Sequence, residues 1–263
     1  MRTLSLAAGV LPEFEPTVLA EAAVEAGFPA VGFTVRPETW TDAVTATVQS
    51  TLRAGNVDVL DVEVIWIGED GQVTDGHRRI LDVGGELGAR NALIVTSCTD
   101  FGRNCRAFEQ LAEHAHRYGI RACLEFLRIC AVTHLTQALA IVETVGHPAG
   151  GVLIDTLHLA RCAQFDKVSN ADPARLPYVQ FCDGNADCAD DYQKLLEDAV
   201  DLRALPGEGA LPLRGVLSAL APDVPLSLEI RSRALREAYP EPVARARHVL
   251  ECTHRYLEGT VAA

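Results

Sequence analysis

The stretch 121–155, RACLEFLRICAVTHLTQALAIVETVGHPAGGVLID, contains one complete unit of strand, helix and strand. Apolar residues dominate Arg121–Phe126 and Gly151–Asp155, as expected for buried strands. The segment Thr133–Val145 between them has the apolar spacing of a helix that ends before Gly146. Two parallel strands need such a crossover, so the stretch predicts a parallel sheet covered by helices.

The same unit recurs on both sides of this stretch. Further strands are predicted at Leu4–Ala8, Ala30–Val35, Val57–Ile67, Ala92–Ser97, Tyr178–Asp183 and Leu226–Arg231, and further helices at Thr17–Ala26, 41–55, His77–Leu87, Asn104–Tyr118 and Glu241–Glu258. Eight strands alternating with helices predict a closed (β/α)8 TIM barrel, an α/β fold, in a single domain over 1–263. The open doubly wound alternative usually carries a Gly-rich phosphate loop, and neither GxGxxG nor GxxxxGK[ST] occurs. Gly184–Asp223 has no clear barrel element and predicts one elaborated βα loop.

Composition excludes several classes of protein. Hydrophobic residues are 48% and charged residues 22% of the 263, which is typical of a globular chain. The net charge of -13 opposes binding to a phosphate backbone, so we expect no nucleic-acid partner. No uncharged apolar run of about 18 residues occurs, and the start lacks the apolar core of a secretory signal. We therefore expect a cytoplasmic protein without a membrane partner.

The chain has eight cysteines, and no two of them form a C-x-x-C pair. That absence argues against a structural zinc site. Without an export signal, reduced and buried thiols are the expected state rather than disulfides.

Polar side chains stand near the ends of the last four predicted strands: Glu125, Asp155, Gln180 and Glu229. Apolar or small residues precede each one, and a buried carboxylate is costly unless it is paired or bound to a cation. In a parallel barrel these ends meet at one face, where the four oxygens could share one divalent ion. Hard oxygen ligands favour Mn²⁺ or Mg²⁺, with Co²⁺ also acceptable. The alternative is a set of separate buried ion pairs.

Five segments carry a family resemblance: LEF at 124–126, GVLIDTLH at 151–158, YVQFCD at 178–183, RALPGEG at 203–209 and LSLEI at 226–230. With them the chain resembles, nearly end to end, the sugar phosphate isomerase/epimerase superfamily, whose barrel is that of xylose isomerase. The resemblance implies one divalent metal ion held by Glu125, Asp155, Gln180 and Glu229. Many relatives have His at the third position. Gln180 departs from this pattern. Its amide oxygen is a harder ligand than an imidazole nitrogen, and this disfavours Zn²⁺.

The resemblance also implies an activity. It is that of a metal-dependent isomerase or epimerase acting on a keto-sugar or related polyol derivative through a metal-stabilised enediolate. Glu125 and Glu229 would transfer the proton on opposite faces of the substrate. His158 would transfer a proton, bind a substrate oxygen, or orient its neighbours from behind the ligands.

Four further residues are expected at the substrate: Glu208, Arg203, Glu63 and Arg231. Glu208 would contact the substrate or hold Arg203, and the alternative is that the Pro-Gly-Glu-Gly segment is a purely conformational turn motif. Glu63 would line the pocket, face solvent or form an ion pair, and Arg231 would bind an anionic substrate group or pair with an acid. Barrels of this superfamily often self-associate, so a homo-oligomer is also consistent.

Three other functions stay open at the level of sequence. The first is a lyase on the same scaffold, either resembling the 3-dehydroshikimate dehydratases or eliminating aglycones from oxidised glycosides. Gln180 favours it slightly, since some such relatives also carry Gln, and the substrate would then be a cyclic keto-acid or a glycoside rather than a sugar. The second is a non-catalytic carbohydrate-binding protein, and the third is an abasic-site endonuclease, which the acidic charge opposes.

Overall fold

A computed structural model describes residues 2–187 and 191–259. Eight parallel strands form a closed barrel in chain order, and the last pairs with the first. The strands are β1 Leu4–Leu6, β2 Ala30–Thr34, β3 Asp58–Ile67, β4 Asn91–Thr96, β5 Arg121–Glu125, β6 Gly150–Asp155, β7 Val179–Gln180 and β8 Leu226–Leu228. The predicted (β/α)8 TIM barrel is confirmed.

Helices follow the strands and surround the barrel. They are α1 Pro16–Ala26, α2 Asp42–Gly55, α3 Asp75–Leu87, α4 Phe101–His116, α5 Leu135–Val145, α6 Thr156–Arg161, α7 Phe165–Val168, α8 Tyr192–Asp201, α9 Leu213–Ala219, α10 Arg233–Ala238 and α11 Pro242–Glu258. Side chains cap several starts: Thr41 accepts from the Val44 N–H, and Thr74 forms a capping box with His77. These caps satisfy backbone N–H groups that have no partner within the helix.

The strand period of two decides which side chains face the barrel interior. Outward-facing residues such as Leu124 and Ile154 pack against the helices in the main hydrophobic core. Cys123, Leu153 and Tyr178 belong to a second apolar cluster, to which neighbouring strands contribute. Residues two positions further along these strands share that direction, which places polar side chains at the carboxyl ends of β5, β6 and β7, above an apolar floor.

The last two strands are much shorter in the structure than the sequence suggested. β7 is only Val179–Gln180, and β8 ends at Leu228, so Glu229 lies just beyond its strand. After β7 the chain leaves the barrel ladder, because the Asp183 N–H donates to Ala204 O in an antiparallel bridge. The elaborated βα loop predicted for 184–223 is a long connection between β7 and β8 that carries two helices, α8 and α9.

The seven cysteines within the described ranges are all free thiols, as predicted. Cys98, Cys123, Cys182 and Cys252 are buried, while Cys105, Cys130 and Cys162 are only partly buried. Cys188 lies outside the described residues. No helix within the described ranges has both the length and the apolar character needed to cross a bilayer.

Candidate active site

Glu125, Asp155 and His158 come together at the mouth of the barrel. Their candidate ligand atoms all lie within 4.8 Å of one another, and all three residues are buried. Within 2–187 and 191–259 this is the only group of three or more His, Cys, Asp and Glu side chains arranged in this way. His158 Nε2 is 4.0 Å from Glu125 Oε1.

The local sequence explains why His158 joins the two carboxylates. Asp155 ends β6 and is also the N-cap of α6, where its Oδ1 accepts hydrogen bonds from the N–H groups of Leu157 (2.8 Å) and His158 (3.2 Å). The helix therefore starts directly on the strand end, and its first turn places His158 beside Asp155. Burial lowers the pKa of His158 to about 4, although the charge of Asp155 opposes this effect. The imidazole is then neutral near pH 7 and able to act as a ligand.

Arg203 is buried and bound to Asp155. Its Nη1 lies 2.5 Å from Asp155 Oδ2 and 3.3 Å from Glu229 O, and its Nε donates to Ala199 O. Burial is the largest effect at Asp155 and favours the neutral acid, but the charge of Arg203, the charge of His158 and the hydrogen bonds from these two residues together lower the pKa of Asp155. Burial and the charge of Asp155 raise the pKa of Glu125 well above its ordinary value. Asp155 is thus a stable anion, and the neighbouring Glu125 is a neutral acid.

Arg231 holds two glutamates on the other side of the mouth. Its Nε lies 2.5 Å from Glu229 Oε1, and its Nη2 lies 3.3 Å from Glu63 Oε1. Thr34 Oγ1 also donates to Glu63 Oε1, at 2.9 Å. Burial and the charge of Glu229 raise the pKa of Glu63 to about 7, the range that suits proton transfer near neutrality. Glu63 and Arg231 are therefore ion-paired within the pocket.

Gln180 ends β7 opposite Asp155 in the strand ladder. Its Nε2 donates to Glu63 Oε2 at 3.3 Å, so the amide links the end of β7 to Glu63 on β3, across the mouth. The amide oxygen is the atom that a cation would use, and the assignment of Gln180 as a ligand stays a prediction.

The donor set fits a divalent cation. Four buried carboxylates face only two guanidiniums and a neutral imidazole: Glu63, Glu125, Asp155 and Glu229 against Arg203 and Arg231. The Glu229 Oε2 atom is buried without any hydrogen-bond partner, which is costly for a carboxylate oxygen. Burial and the charge of Asp155 favour the neutral acid at Glu125, and a dication would supply the positive charge that lets Glu125 ionise and act as a ligand. Carboxylate and amide oxygens suit Mn²⁺ and Mg²⁺, while the imidazole of His158 also suits Co²⁺ and Zn²⁺.

Two of the four predicted ligands, Glu125 and Asp155, belong to the cluster, and His158, predicted as a catalytic group, completes it. Glu229 lies outside the 4.8 Å group and is bound to Arg231.

Glu208 is exposed, and within the described ranges it forms no hydrogen bond with Arg203. The neighbouring Asp183 shapes this loop instead, by accepting from the N–H groups of Gly184, Gly207 and Leu211.

Sequence reasoning missed two residues that shape the site. Asp61 is fully buried two positions before Glu63, and burial raises its pKa well above the ordinary value, so it is a neutral acid beneath the mouth. Asp61 and Glu63 are two residues apart on β3, so their side chains face the same side of the strand, and this spacing could have identified Asp61 from the sequence. Gly9 follows β1, and a Cβ there would lie 2.1 Å from Glu229 Oε1. Nothing in the sequence marks Gly9, because the contact spans more than 200 residues.

Comparisons with known proteins agree with this fold. The chain is similar to the inosose isomerase of Bacillus subtilis (strain 168), with 31% identity over 114 residues, which are 42% of this chain and 39% of that protein. A solved xylose isomerase-like TIM barrel/4-hydroxyphenylpyruvate dioxygenase fusion protein superposes with a TM-score of 0.83 at 23% identity, over 98% of this chain and 43% of that one. The chain thus spans less than half the length of either protein.

A third comparison covers both chains almost completely. The structure of an IolI protein with a bound zinc atom superposes with a TM-score of 0.78 at 19% identity, over 99% of this chain and 100% of that one. The model of the xylose isomerase-like TIM barrel family matches residues 20–255, which is most of the chain. From this match and the closed barrel, we conclude that the chain belongs to the xylose isomerase-like TIM barrel family.

Proposed function

We propose that this protein is a divalent-metal-dependent isomerase or epimerase that acts on a keto-sugar or related polyol derivative. The observation that carries the proposal is the buried Glu125–Asp155–His158 cluster, whose ligand atoms lie within 4.8 Å of one another at the barrel mouth. Active sites of this barrel form at the same face. The inosose isomerase that resembles part of this chain supports the reaction class.

The residues of the mouth have distinct roles in this proposal. Asp155, kept ionised by Arg203, would hold the cation together with Glu125, Gln180 and Glu229, and His158, whose ligand atom lies within 4.8 Å of those of Glu125 and Asp155, would be a further ligand. When bound, the cation would polarise the substrate carbonyl and stabilise the negative charge of an enediolate. Glu125 and Glu229 would remove and return the proton of the carbon next to that carbonyl.

The position at which the proton returns would decide the product. Return to the neighbouring carbon is isomerisation, and return to the opposite face of the same carbon is epimerisation. Glu63 is held beside the mouth with a pKa of about 7, so it could exchange a proton with either glutamate through the substrate hydroxyls.

A lyase is the second candidate. It is favoured by Gln180, which stands where many relatives have His and which donates to Glu63. Loss of a β-hydroxyl from the same enediolate would give dehydration, and its substrate would be a cyclic keto-acid.

The test is proton exchange. Protein stripped with EDTA is reloaded with Mn²⁺, Mg²⁺, Co²⁺ or Zn²⁺ and incubated in D₂O with keto-sugars, inososes and cyclic keto-acids. Deuterium on the carbon next to the carbonyl, in a product that is an isomer of the substrate, supports the isomerase or epimerase. A new ultraviolet absorbance from a conjugated product supports the lyase. Binding of a sugar without label or new product, with every metal, would overturn both and favour a carbohydrate-binding protein.

A further inference from the structure

Helix α6 is only six residues long, and it carries His158 in its first turn. A helix of this length has little stability of its own, because few of its backbone groups can bond within the helix. Its start is fixed by Asp155, which accepts from the N–H groups of Leu157 and His158 and is itself bound to Arg203. The position of His158 then depends on how the other end of the helix is held.

Arg161, the last residue of α6, forms a buried ion pair with helix α8. Its Nε lies 2.6 Å from Asp198 Oδ2 and its Nη2 lies 3.0 Å from Asp198 Oδ1, so the guanidinium binds both carboxylate oxygens. Its Nη1 also donates to Asn185 O at 2.9 Å, in the segment after β7. The side chains of Arg161 and Asp198 are 3% and 15% exposed, so solvent screens this pair little. The end of α6 is therefore held both to α8 and to the segment after β7.

The two ends of α6 are bound to the same part of the chain. At the start of α6, Asp155 accepts from Arg203, which lies just after α8. At the end of α6, Arg161 donates to Asp198, which lies within α8. Any movement of α6 relative to α8 would disturb both buried ion pairs, so together they fix the place of the helix at the barrel mouth.

His158 lies next to the second of these pairs. His158, Arg161 and Asp198 all line one small space of about 10 Å³, which is too small for more than one water molecule. The imidazole therefore packs closely against the pair. Its Nε2 lies 4.0 Å from Glu125 Oε1, so a displacement of α6 would change the distance between these two candidate ligands.

We propose that Arg161 and Asp198 are positioning residues for His158. Neither belongs to the buried cluster of candidate ligands, and they act by fixing the helix that presents the imidazole to Glu125 and Asp155. Groups that orient a metal ligand in this way typically change metal affinity by about 10–100-fold when they are replaced. The effect on a metal rests on the proposed function, whereas the position of the imidazole can be measured without any metal.

The first measurement follows the imidazole by nuclear magnetic resonance. Protein labelled with ¹³C-histidine and treated with EDTA gives ring signals, and the His158 signal is the one that His158→Gln removes. Arg161→Lys keeps the charge but loses the planar fork that binds both oxygens of Asp198, so we expect the His158 signal to shift. Arg233→Lys is the matched control, because Arg233 is an exposed arginine that binds Asp201 of the same helix, and it should leave the signal unchanged. An unchanged His158 signal in Arg161→Lys, or equal shifts in both variants, would overturn the proposal.

The second measurement is metal affinity. Calorimetric titration with Mn²⁺ should give a dissociation constant about tenfold higher for Arg161→Lys than for the parent, and the parent value for Arg233→Lys. Asp198→Glu also keeps its charge but has a longer side chain, and it should act like Arg161→Lys in both measurements, with circular dichroism reporting the fold. Parent-like affinity in folded Arg161→Lys and Asp198→Glu would show that the pair supports the fold and not the ligand. If the parent itself binds no metal, the proposed function fails, while the imidazole signal still decides whether Arg161 positions His158.

Discussion

Arg203 Nη1 lies 2.5 Å from Asp155 Oδ2, and both side chains are buried. The pair joins the end of β6 to the segment after α8, and the same guanidinium reaches the backbone of Glu229 beyond β8. It keeps Asp155 charged next to Glu125, whose pKa is raised. The barrel mouth is therefore organised by a cation of the protein itself.

Replacing this arginine should destabilise the fold. Arg203→Met leaves the Asp155 carboxylate buried without its partner, and we expect the free energy of unfolding to fall by about 3–5 kcal/mol. Urea denaturation of the EDTA-treated protein measures the change. Arg90→Met breaks an exposed pair with Asp58 and should cost less than about 1 kcal/mol. Equal stability of the two variants would refute the structural role of Arg203.

Glu229→Gln should abolish turnover and weaken metal binding while the protein stays folded. The substitution removes one carboxylate charge from a preformed site and leaves its shape nearly unchanged. Calorimetric titration with Mn²⁺ and the proton-exchange assay report the two effects, and circular dichroism reports the fold. Glu251→Gln, at an exposed position of α11, is the control. Wild-type activity in Glu229→Gln would end the catalytic assignment.

Gln180→His should shift metal preference toward Zn²⁺ or Co²⁺. An imidazole nitrogen is a softer ligand than an amide oxygen, so it favours the later transition metals. Competition between Mn²⁺ and Zn²⁺, measured by elemental analysis of the dialysed protein, tests this. The same ratio of bound metals in parent and variant would show that Gln180 is not a ligand.

Gly9→Ala should impair activity without unfolding the barrel. The added Cβ would lie 2.1 Å from Glu229 Oε1 and 2.6 Å from Arg231 Nε, so both side chains must move. A displacement of about 1 Å at a proton-transfer group can cost about 100-fold in rate. Gly215→Ala is the matched control, since a Cβ at that position meets nothing within 4 Å. Equal kcat/KM for both variants and the parent would show that Glu229 tolerates displacement.

The sequence alone is sufficient for the barrel and for four residues of its mouth. Strand and helix periods are local properties, and in a parallel barrel every strand ends at the same face, so the sequence places Glu125, Asp155 and Gln180 at one end of the barrel. The alternation of side chains along each strand turns all three toward the barrel interior. The sequence also places Glu229 near the mouth, although its strand ends earlier than predicted.

Only the tertiary structure decided how these groups are paired. Arg203 and Asp155 are 48 residues apart, and Arg231 and Glu63 are 168 apart, so no local pattern shows that they meet. The first turn of α6 made His158 a neighbour of Glu125. Periodicity specifies the direction of a side chain from its own strand or helix, but its partner depends on how separate elements pack, and that is a property of the whole fold.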